Sequence, residues 1–449
     1  MDDALLARYD RRVPRYTSYP TALQFHAGID AETYRRWLGA VPAKSGASLY
    51  VHVPYCHSLC WYCGCNTKIV ARYSPVADFM RRVVREMDLV AAALPGRVLA
   101  RHVHWGGGTP NILAPADIET LAAETASRFD IAEGAEFAVE IDPRLMDEPR
   151  AVALGRAGVS RASVGVQDFD ADVQEAVNRV QPYAMVADTT SMLRDQGIRA
   201  FNFDLMYGLP GQTVDGIRRN VDLALSLGPD RVSLFGYAHV PWMKKHQRMM
   251  DEHAMPDTQA RWRMAEAAAA ALQAAGFVRI GLDHFARADD AIATAAAAGE
   301  LRRNFQGYTT DDAELLLGFG PSAIGSLAQG YVQNATETRR WSEAVESGRL
   351  PTARGVEASA EDRLRREVIH RLMCDLAVDV EAVARRHGFP AGYFRPEKAR
   401  LAPFVADGLI RLEADRIELL LLGQPLMRTV AAVFDRYLTE SATRHAKAV

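Results

Sequence analysis

Cys56, Cys60, Cys63 and Cys65 fall within ten residues, Cys56-His-Ser-Leu-Cys60-Trp-Tyr-Cys63-Gly-Cys65, and the 449-residue chain has only one other cysteine, Cys374. Thiolates are nucleophiles and metal ligands, and a group this dense is placed for chemistry rather than packing. The first three stand at spacings that let one short loop wrap a compact cluster from one side, as cysteine runs do around iron–sulfur clusters. A structural zinc site usually takes its ligands as two separated pairs, and no second pair occurs. Disulfides are disfavoured because the chain starts Met1-Asp-Asp-Ala, without a charged-then-apolar signal pattern, and its five cysteines suit a reducing compartment. A 4Fe-4S cube needs four ligands: Cys65, two residues beyond Cys63, is either the fourth or leaves one iron open to a small molecule. Cys374, in the helix-like stretch from Arg366, reads as a small buried apolar residue.

Other groups could assist. Gly106-Gly-Gly108-Thr109-Pro110 lacks side chains where a ligand could approach the backbone, although a tight turn explains glycines equally well. Glu140 and Asp142, two residues apart, share one face of an extended run, where a carboxylate can bind ribose hydroxyls. Asp142, before Pro143, also suits a cap on the following turn. His52, His239 and His284 are expected to be hydrogen-bonded structure before they are acids or bases.

Elements must position these groups. Strand-like runs recur at Leu49 to Val53, His102 to Trp105, Glu136 to Ile141, Arg161 to Val166, Ala200 to Met206 and Arg231 to Tyr237. Helical patterns lie between them at Val76 to Leu94, Pro115 to Phe129, Glu148 to Ala157, Tyr183 to Gln196 and Val214 to Leu227. Such alternation predicts an α/β protein with a parallel sheet. Its apolar, β-branched strands suit burial on both faces. Six repeats fit an incomplete (β/α)6 barrel, and pattern alone fits a doubly wound open sheet as well. In both, ligands gather at the C-terminal strand ends. The motifs fall there: the cysteine loop after strand one, the glycines after strand two, Glu140 and Asp142 at three, Gln167 after four, Asp204 in five, Ala238 and His239 after six.

The expected divisions are an N-terminal arm over 1–44, a core barrel over 45–280 and a C-terminal region over 281–449. The last includes a mostly helical or winged-helix-like domain from about 360, with a hairpin-like stretch from Leu409 to Leu421. The Ala-rich stretches at Ala265 to Ala275 and Ala291 to Ala298 read as helices. A net charge of -3 with dispersed basic residues gives no nucleic-acid footprint, and no apolar run reaches the ~18 residues of a membrane span. A cytoplasmic protein, by default a monomer, is expected.

The Cys56-x3-Cys60-x2-Cys63 run with Tyr62 resembles the signature of the radical S-adenosylmethionine enzymes. Tyr50-Val-His-Val-Pro-Tyr-Cys56, Cys65, His104-Trp-Gly-Gly-Gly-Thr-Pro110, Gly165-Val-Gln-Asp-Phe169 and Asn304-Phe-Gln-Gly-Tyr-Thr-Thr310 are similar to the oxygen-independent coproporphyrinogen III oxidase family, and the likeness runs from Arg15-Tyr-Thr-Ser-Tyr-Pro20 to the C-terminal region. The resemblance implies the partial barrel, a 4Fe-4S cluster on Cys56, Cys60 and Cys63, and S-adenosylmethionine as cofactor, in two molecules. Tyr50, Gly107, Glu140 and Ile324 match positions for the molecule at the cluster. Tyr62, Gly108, Thr109, Gln167, Arg179, Asp204 and Ala238 match those for the second. It implies decarboxylation of two propionates of coproporphyrinogen III in haem biosynthesis by a 5'-deoxyadenosyl radical, with an electron donor and an acceptor that sequence does not identify. Arg11, Arg12, Arg15, Arg179, Arg302 and Arg303 are candidates for the substrate's carboxylates. A haem-binding chaperone relative or a haem-modifying enzyme of similar architecture is the alternative. Cys65 and the arm speak against the chaperone, whose relatives resemble Cys-x-Tyr-Cys-x-Phe here.

Overall fold

Six strands lie side by side in chain order: β1 (Gly46–Val53), β2 (Leu99–Gly107), β3 (Asp130–Ile141), β4 (Arg161–Gln167), β5 (Ala200–Tyr207) and β6 (Arg231–Gly236). The expected burial on both faces is not uniform, since β4 alternates buried with half-buried residues and the first half of β3 is largely exposed. All neighbours in this run are parallel. Helices α1 (Ser74–Ala93), α2 (Pro115–Arg128), α3 (Glu148–Arg156), α4 (Tyr183–Asp195) and α5 (Val214–Ser226) make the crossovers. Their starts are written locally: proline stands in the first turn of α1, α2 and α3, while Asp147 caps α3 and Thr213 caps α5. The order never reverses, as a doubly wound sheet requires, so the expected (β/α)6 part-barrel is the observed core. The computed structural model describes residues 3–438.

The sheet continues on both sides into twelve strands. Beyond β6 lie the antiparallel β7 (Phe277–Ile280) and β8 (His284–Arg287), between helices α6 (Thr258–Ala274) and α7 (Ala291–Ala298). Beyond β1 lie β9 (Leu315–Phe319), parallel to it, and then β10 (Ile324–Leu327), β11 (Gly330–Asn334) and β12 (Thr352–Glu357), all antiparallel. The boundary expected at residue 280 therefore lies between two neighbouring strands of one sheet, and Phe285, Leu317, Trp341 and Leu350 share the main core with β1–β6. These flanking strands are short and joined mainly by turns, which is why helix–strand alternation fades in the sequence after Gly276.

The segment over 1–44 contains more structure than an arm. Asp3–Tyr9 and Ala31–Gly39 are helices, the second capped by Asp30, whose side chain accepts from the Thr33 N–H. Its buried Thr33, Tyr34, Trp37 and Leu38 repeat at helical spacing, a pattern too short to stand out. Leu6, Tyr9, Tyr16 and Tyr19 are buried in a second core with Leu364, Phe394 and Phe434, so the chain's beginning packs on its C-terminal part. That part carries α8 (Ala360–Cys374), opened by a Ser359–Asp362 capping box, and a three-stranded sheet of Ala377–Asp379, Ile410–Glu413 and Arg416–Leu419. Cys374 is buried at the end of α8, as expected. The C-terminal region expected over 281–449 includes residues 439–449, which, like residues 1–2, lie outside the described residues. No helix among the described residues is long and apolar enough to cross a membrane.

A buried carboxylate fastens the flank to the core. Glu86 of α1 accepts hydrogen bonds from the Gly320 N–H (2.8 Å), Asn334 Nδ2 (2.6 Å) and Trp341 Nε1 (2.9 Å). Burial pushes its carboxyl up to about 7 against these three donors. Glu86→Ala leaves the donors unpaired, and the unpaired buried groups should cost about 3 kcal/mol, read as a lower midpoint in urea denaturation.

Candidate active site

The cysteine loop leaves the C-terminal end of β1 and is pinned at its base, where Tyr55–Cys56 pairs with Lys68–Ile69. Each of the three spaced sulfurs meets a donor. Cys56 Sγ accepts from Thr67 Oγ1 (3.0 Å) and Thr109 Oγ1 (3.3 Å). Cys60 Sγ faces Arg144 Nη2 and Arg179 Nη1, both at 3.5 Å, and Cys63 Sγ accepts the Cys65 N–H at 3.4 Å. Burial pushes the Cys56 thiol up; the two threonines oppose it, and the sulfurs of Cys63 and Cys60 are near enough to add to it. A hydrogen bond from the Cys65 side chain, helped by the one from its N–H, brings the Cys63 thiol down, against burial.

The outer side of the loop is clasped by a segment that sequence reasoning missed. Gln247 Nε2 donates to the Tyr62 carbonyl (3.0 Å), His246 Nε2 to that of Cys63 (2.8 Å) and Lys244 Nζ to that of Cys65 (2.9 Å). On another side, Asn178 Nδ2 donates to the Leu59 carbonyl at 2.8 Å. Bonds to backbone carbonyls impose no residue spacing, so the only available signal was the polar run from Lys244 to Gln247 after the sixth strand.

Beneath Cys60 lies a buried charge cluster. Asp142 Oδ2 meets Arg144 Nη2 at 2.6 Å and Arg179 Nη1 at 3.5 Å, and Arg179 also donates to the Gly165 carbonyl at 2.7 Å. Arg144 was not anticipated, although it stands two residues from Asp142. Asp142 also caps the following turn through the Arg144 N–H, as its place before Pro143 suggested, and Asn111 pairs with its backbone at 2.9 and 3.0 Å. Burial alone would raise the Asp142 carboxyl, but Arg179 and Arg144 hold it at about 2. Asp142→Asn leaves the buried Arg179 and the half-buried Arg144 without this counter-charge, and a loss of about 3 kcal/mol is expected. The carboxyl's folded value lies below its ordinary ~3.9. Its contribution is therefore fully present above that value and lost as pH falls toward about 2. Thermal melts across this window should show a decline in the wild type that the Asn variant lacks.

The three glycines are each closely packed, a Cβ on Gly107 meeting the His52 ring at 2.5 Å. A Cβ on Gly106 would lie 2.5 Å from Glu140 Oε1, and one on Gly108 2.7 Å from the Tyr55 carbonyl oxygen. Gly107 adopts φ 109°, and its N–H donates to Glu140 Oε2 at 3.0 Å. His104 Nε2 stands 3.3 Å from Glu140 Oε1. Burial would raise the Glu140 carboxyl, but His104 and Gly107 bring it below its ordinary value. Tyr50 joins this group, its ring centroid 5.7 Å from that of His104. His52 Nε2 must donate to the Asn66 carbonyl (2.9 Å), which leaves Nδ1 to accept from the Tyr50 hydroxyl (3.1 Å). His52 is thus a neutral support, as its place in β1 suggested.

The remaining predicted residues occupy other strand ends. Gln167 takes φ 66° where the pairing of β4 with β5 shifts register, a costly backbone state of the kind kept at ligand sites. Asp204 of β5 accepts from Asn202 Nδ2 (2.9 Å) and Ser163 Oγ (3.2 Å), and burial, with Glu140 adding, pushes its carboxyl up to about 6. Ala238 lines a cavity of about 440 Å³ beyond β6. Ile324 opens β10, two strands from β1, and packs beside Phe25, Phe305 and Tyr331 rather than in the hydrogen-bonded group. His239 is engaged by the Tyr237 hydroxyl and Glu252, both at 2.9 Å, and His284 Nδ1 by Asp283 at 2.8 Å; both behave as hydrogen-bonded structure.

The donor set fits an iron–sulfur cluster. Hydroxyls, guanidiniums and an N–H directed at sulfur are the partners that stabilise cluster thiolates. Among the described residues no group of three His, Cys, Asp or Glu gathers as for a single metal ion, whereas a four-iron cluster spreads its ligands more widely.

Comparison with known proteins agrees. The Radical SAM superfamily model matches residues 50–224 and the HemN C-terminal domain model residues 358–426. The chain is 48% identical to an oxygen-independent coproporphyrinogen III oxidase of Bradyrhizobium diazoefficiens, over 100% of this chain and 99% of that one. It is 43% identical to the protein of the same name from Paracoccus denitrificans, over 99% and 98%. The solved coproporphyrinogen III oxidase (HemN) of Escherichia coli, described as a radical SAM enzyme, superposes with a TM-score of 0.91 at 35% identity, over 97% and 99% of the two chains. The chain belongs to the oxygen-independent coproporphyrinogen III oxidase family of the radical SAM superfamily.

Proposed function

We propose that the chain converts coproporphyrinogen III to protoporphyrinogen IX without oxygen, turning two propionates into vinyl groups in haem biosynthesis. The observation that carries this reading is the loop of three donor-supplied thiols beside the Glu140–Gly107 pair, in a chain 48% identical to a relative of that name. Cys56, Cys60 and Cys63 are assigned to a 4Fe-4S cluster and Cys65 is not. When bound, the cluster and S-adenosylmethionine supply one-electron chemistry able to break a strong carbon–hydrogen bond.

The chain's own residues bind, orient and shield. Tyr50, the Gly107 backbone, Glu140 and Ile324 are assigned to the S-adenosylmethionine at the cluster. Tyr62, Gly108, Thr109, Gln167, Arg179, Asp204 and Ala238 are assigned to a second molecule. Glu140 and Asp204 offer carboxylates suited to ribose hydroxyls, and the walls of the part-barrel exclude water and oxygen. Each propionate loses one hydrogen atom, carbon dioxide and one electron to become a vinyl group. With S-adenosylmethionine bound, the hydrogen would pass to its 5'-deoxyadenosyl fragment and the electron to an acceptor of unassigned identity.

The test is an anaerobic incubation of cluster-loaded protein with reductant, S-adenosylmethionine and coproporphyrinogen III. Divinyl product is expected. Tight haem binding without turnover of the tetrapyrrole would replace this reading with the chaperone.

A further inference from the structure

A substrate with four carboxylates that gives up two must have the others recognised, and the structure sorts the candidate arginines. Arg179 is committed to Asp142 and Cys60. Arg303 lies 4.4 Å from the Tyr308 ring centroid and reaches the Arg15 carbonyl. Arg12 and Arg15 instead line the cavity of about 440 Å³ beyond β6, joined by three arginines that sequence reasoning had not considered: Arg261 of α6, Arg279 of β7 and Arg428. The volume is that of a small-molecule site.

The lining is rich in cations: five guanidiniums against the carboxylates of Asp257, Glu266 and Asp283. Asp257 is used as the cap of α6, accepting the Ala260 N–H at 2.7 Å. Asp283 meets Arg15 and His284, with Arg303 3.9 Å away. Burial would raise its carboxyl, yet Arg15, His284 and Arg303 hold it far below the usual range. Arg428 donates to the Pro14 carbonyl at 3.0 Å, which ties the N-terminal segment over the cavity. Its guanidinium is brought down to about 10, chiefly by burial and then by Arg15 nearby. Arg279 Nε is buried without a hydrogen-bond partner. Arg12 stacks 4.9 Å from the ring centroid of Trp242, and Tyr207, Tyr237 and Trp262 complete aromatic walls suited to pyrroles.

This cavity adjoins the cysteine loop. Gln247 Nε2 donates both to the Tyr62 carbonyl within the loop (3.0 Å) and to the carbonyl of Ala238, which lines the cavity (3.3 Å).

We propose that the cavity is the subsite for the tetrapyrrole carboxylates that are retained, with Arg12, Arg261 and Arg279 as the specificity-determining cations. The inference rests on the decarboxylase reading. Charge-assisted hydrogen bonds contribute about 1.5–3 kcal/mol each, which is roughly 10- to 150-fold in Kd.

The test uses the cluster-loaded full chain and coproporphyrin III, the oxidised tetrapyrrole with the same four carboxylates, titrated by fluorescence alongside its tetramethyl ester. Arg279→Gln and the double variant Arg12→Gln/Arg261→Gln should each raise Kd for the free acid at least ~10-fold. Kd for the ester should not move. Arg→Lys at the same positions should recover most of the affinity, and in turnover KM should rise while kcat at saturation is retained. Arg263→Gln, at an exposed position of α6, should behave as wild type. Should a Gln variant lose the cluster, the Lys variant decides, since a purely structural role predicts no free-acid selectivity in it. Unchanged free-acid affinity in the Gln variants overturns the subsite while wild-type turnover stands. A wild-type protein that makes no vinyl product overturns the decarboxylase reading instead.

Discussion

Cys56→Ser, Cys60→Ser and Cys63→Ser should each lose the cluster and all turnover, whereas Cys65→Ser should retain the cluster. The distinction has a local cause. Cys56, Cys60 and Cys63 each present sulfur to a hydroxyl, guanidinium or N–H donor, and a serine oxygen in any of these places is a poor ligand for iron. Cys65 offers its N–H to Cys63 and its carbonyl to Lys244, and both bonds survive the change because they belong to the backbone, while the hydrogen bond its side chain gives Cys63 can be given by a serine hydroxyl. Iron and acid-labile sulfide, measured after anaerobic reconstitution, decide the matter. A Cys60→Ser protein with a full complement of iron and normal turnover would overturn the ligand assignment.

Glu140→Gln should weaken S-adenosylmethionine binding by roughly 10- to 150-fold, the equivalent of about 1.5–3 kcal/mol for a lost charge-assisted bond. Cluster content should be unchanged, because the hydrogen bonds of Glu140 go to Gly107 and His104 of β2. Gly106→Ala should act in the same direction, since its Cβ would stand 2.5 Å from Glu140 Oε1 and push the carboxylate aside. Calorimetric titration of the reconstituted variants gives both values, and an unaltered Kd in Glu140→Gln would remove Glu140 from the binding group.

Much of this site was legible because it is written in features that sequence displays. The six parallel strands announce themselves as apolar runs separated by amphipathic helices, and the loop by its thiol spacing. The support around them is written differently. Arg144 acts through Asp142 and Cys60, and Lys244, His246 and Gln247 act on backbone carbonyls; neither arrangement requires a spacing a reader could recognise. The helix at Ala31–Gly39 was hidden in an expected arm because nine residues give a weak period. The flanking strands β9–β12 were hidden because they are short and β9, β10 and β11 follow one another with no helix between them. Ile324, carried over by resemblance, stands apart from the hydrogen-bonded residues at β1–β5, and its role rests on shape and packing alone.

The most direct test of the account follows the hydrogen that leaves the substrate. Coproporphyrinogen III carrying deuterium on the propionate carbons next to the rings is incubated without oxygen with cluster-loaded protein, reductant and S-adenosylmethionine, and the 5'-deoxyadenosine is examined by mass spectrometry. Deuterium in that product, formed together with vinyl groups, is the predicted result. Vinyl product with unlabelled 5'-deoxyadenosine would contradict it.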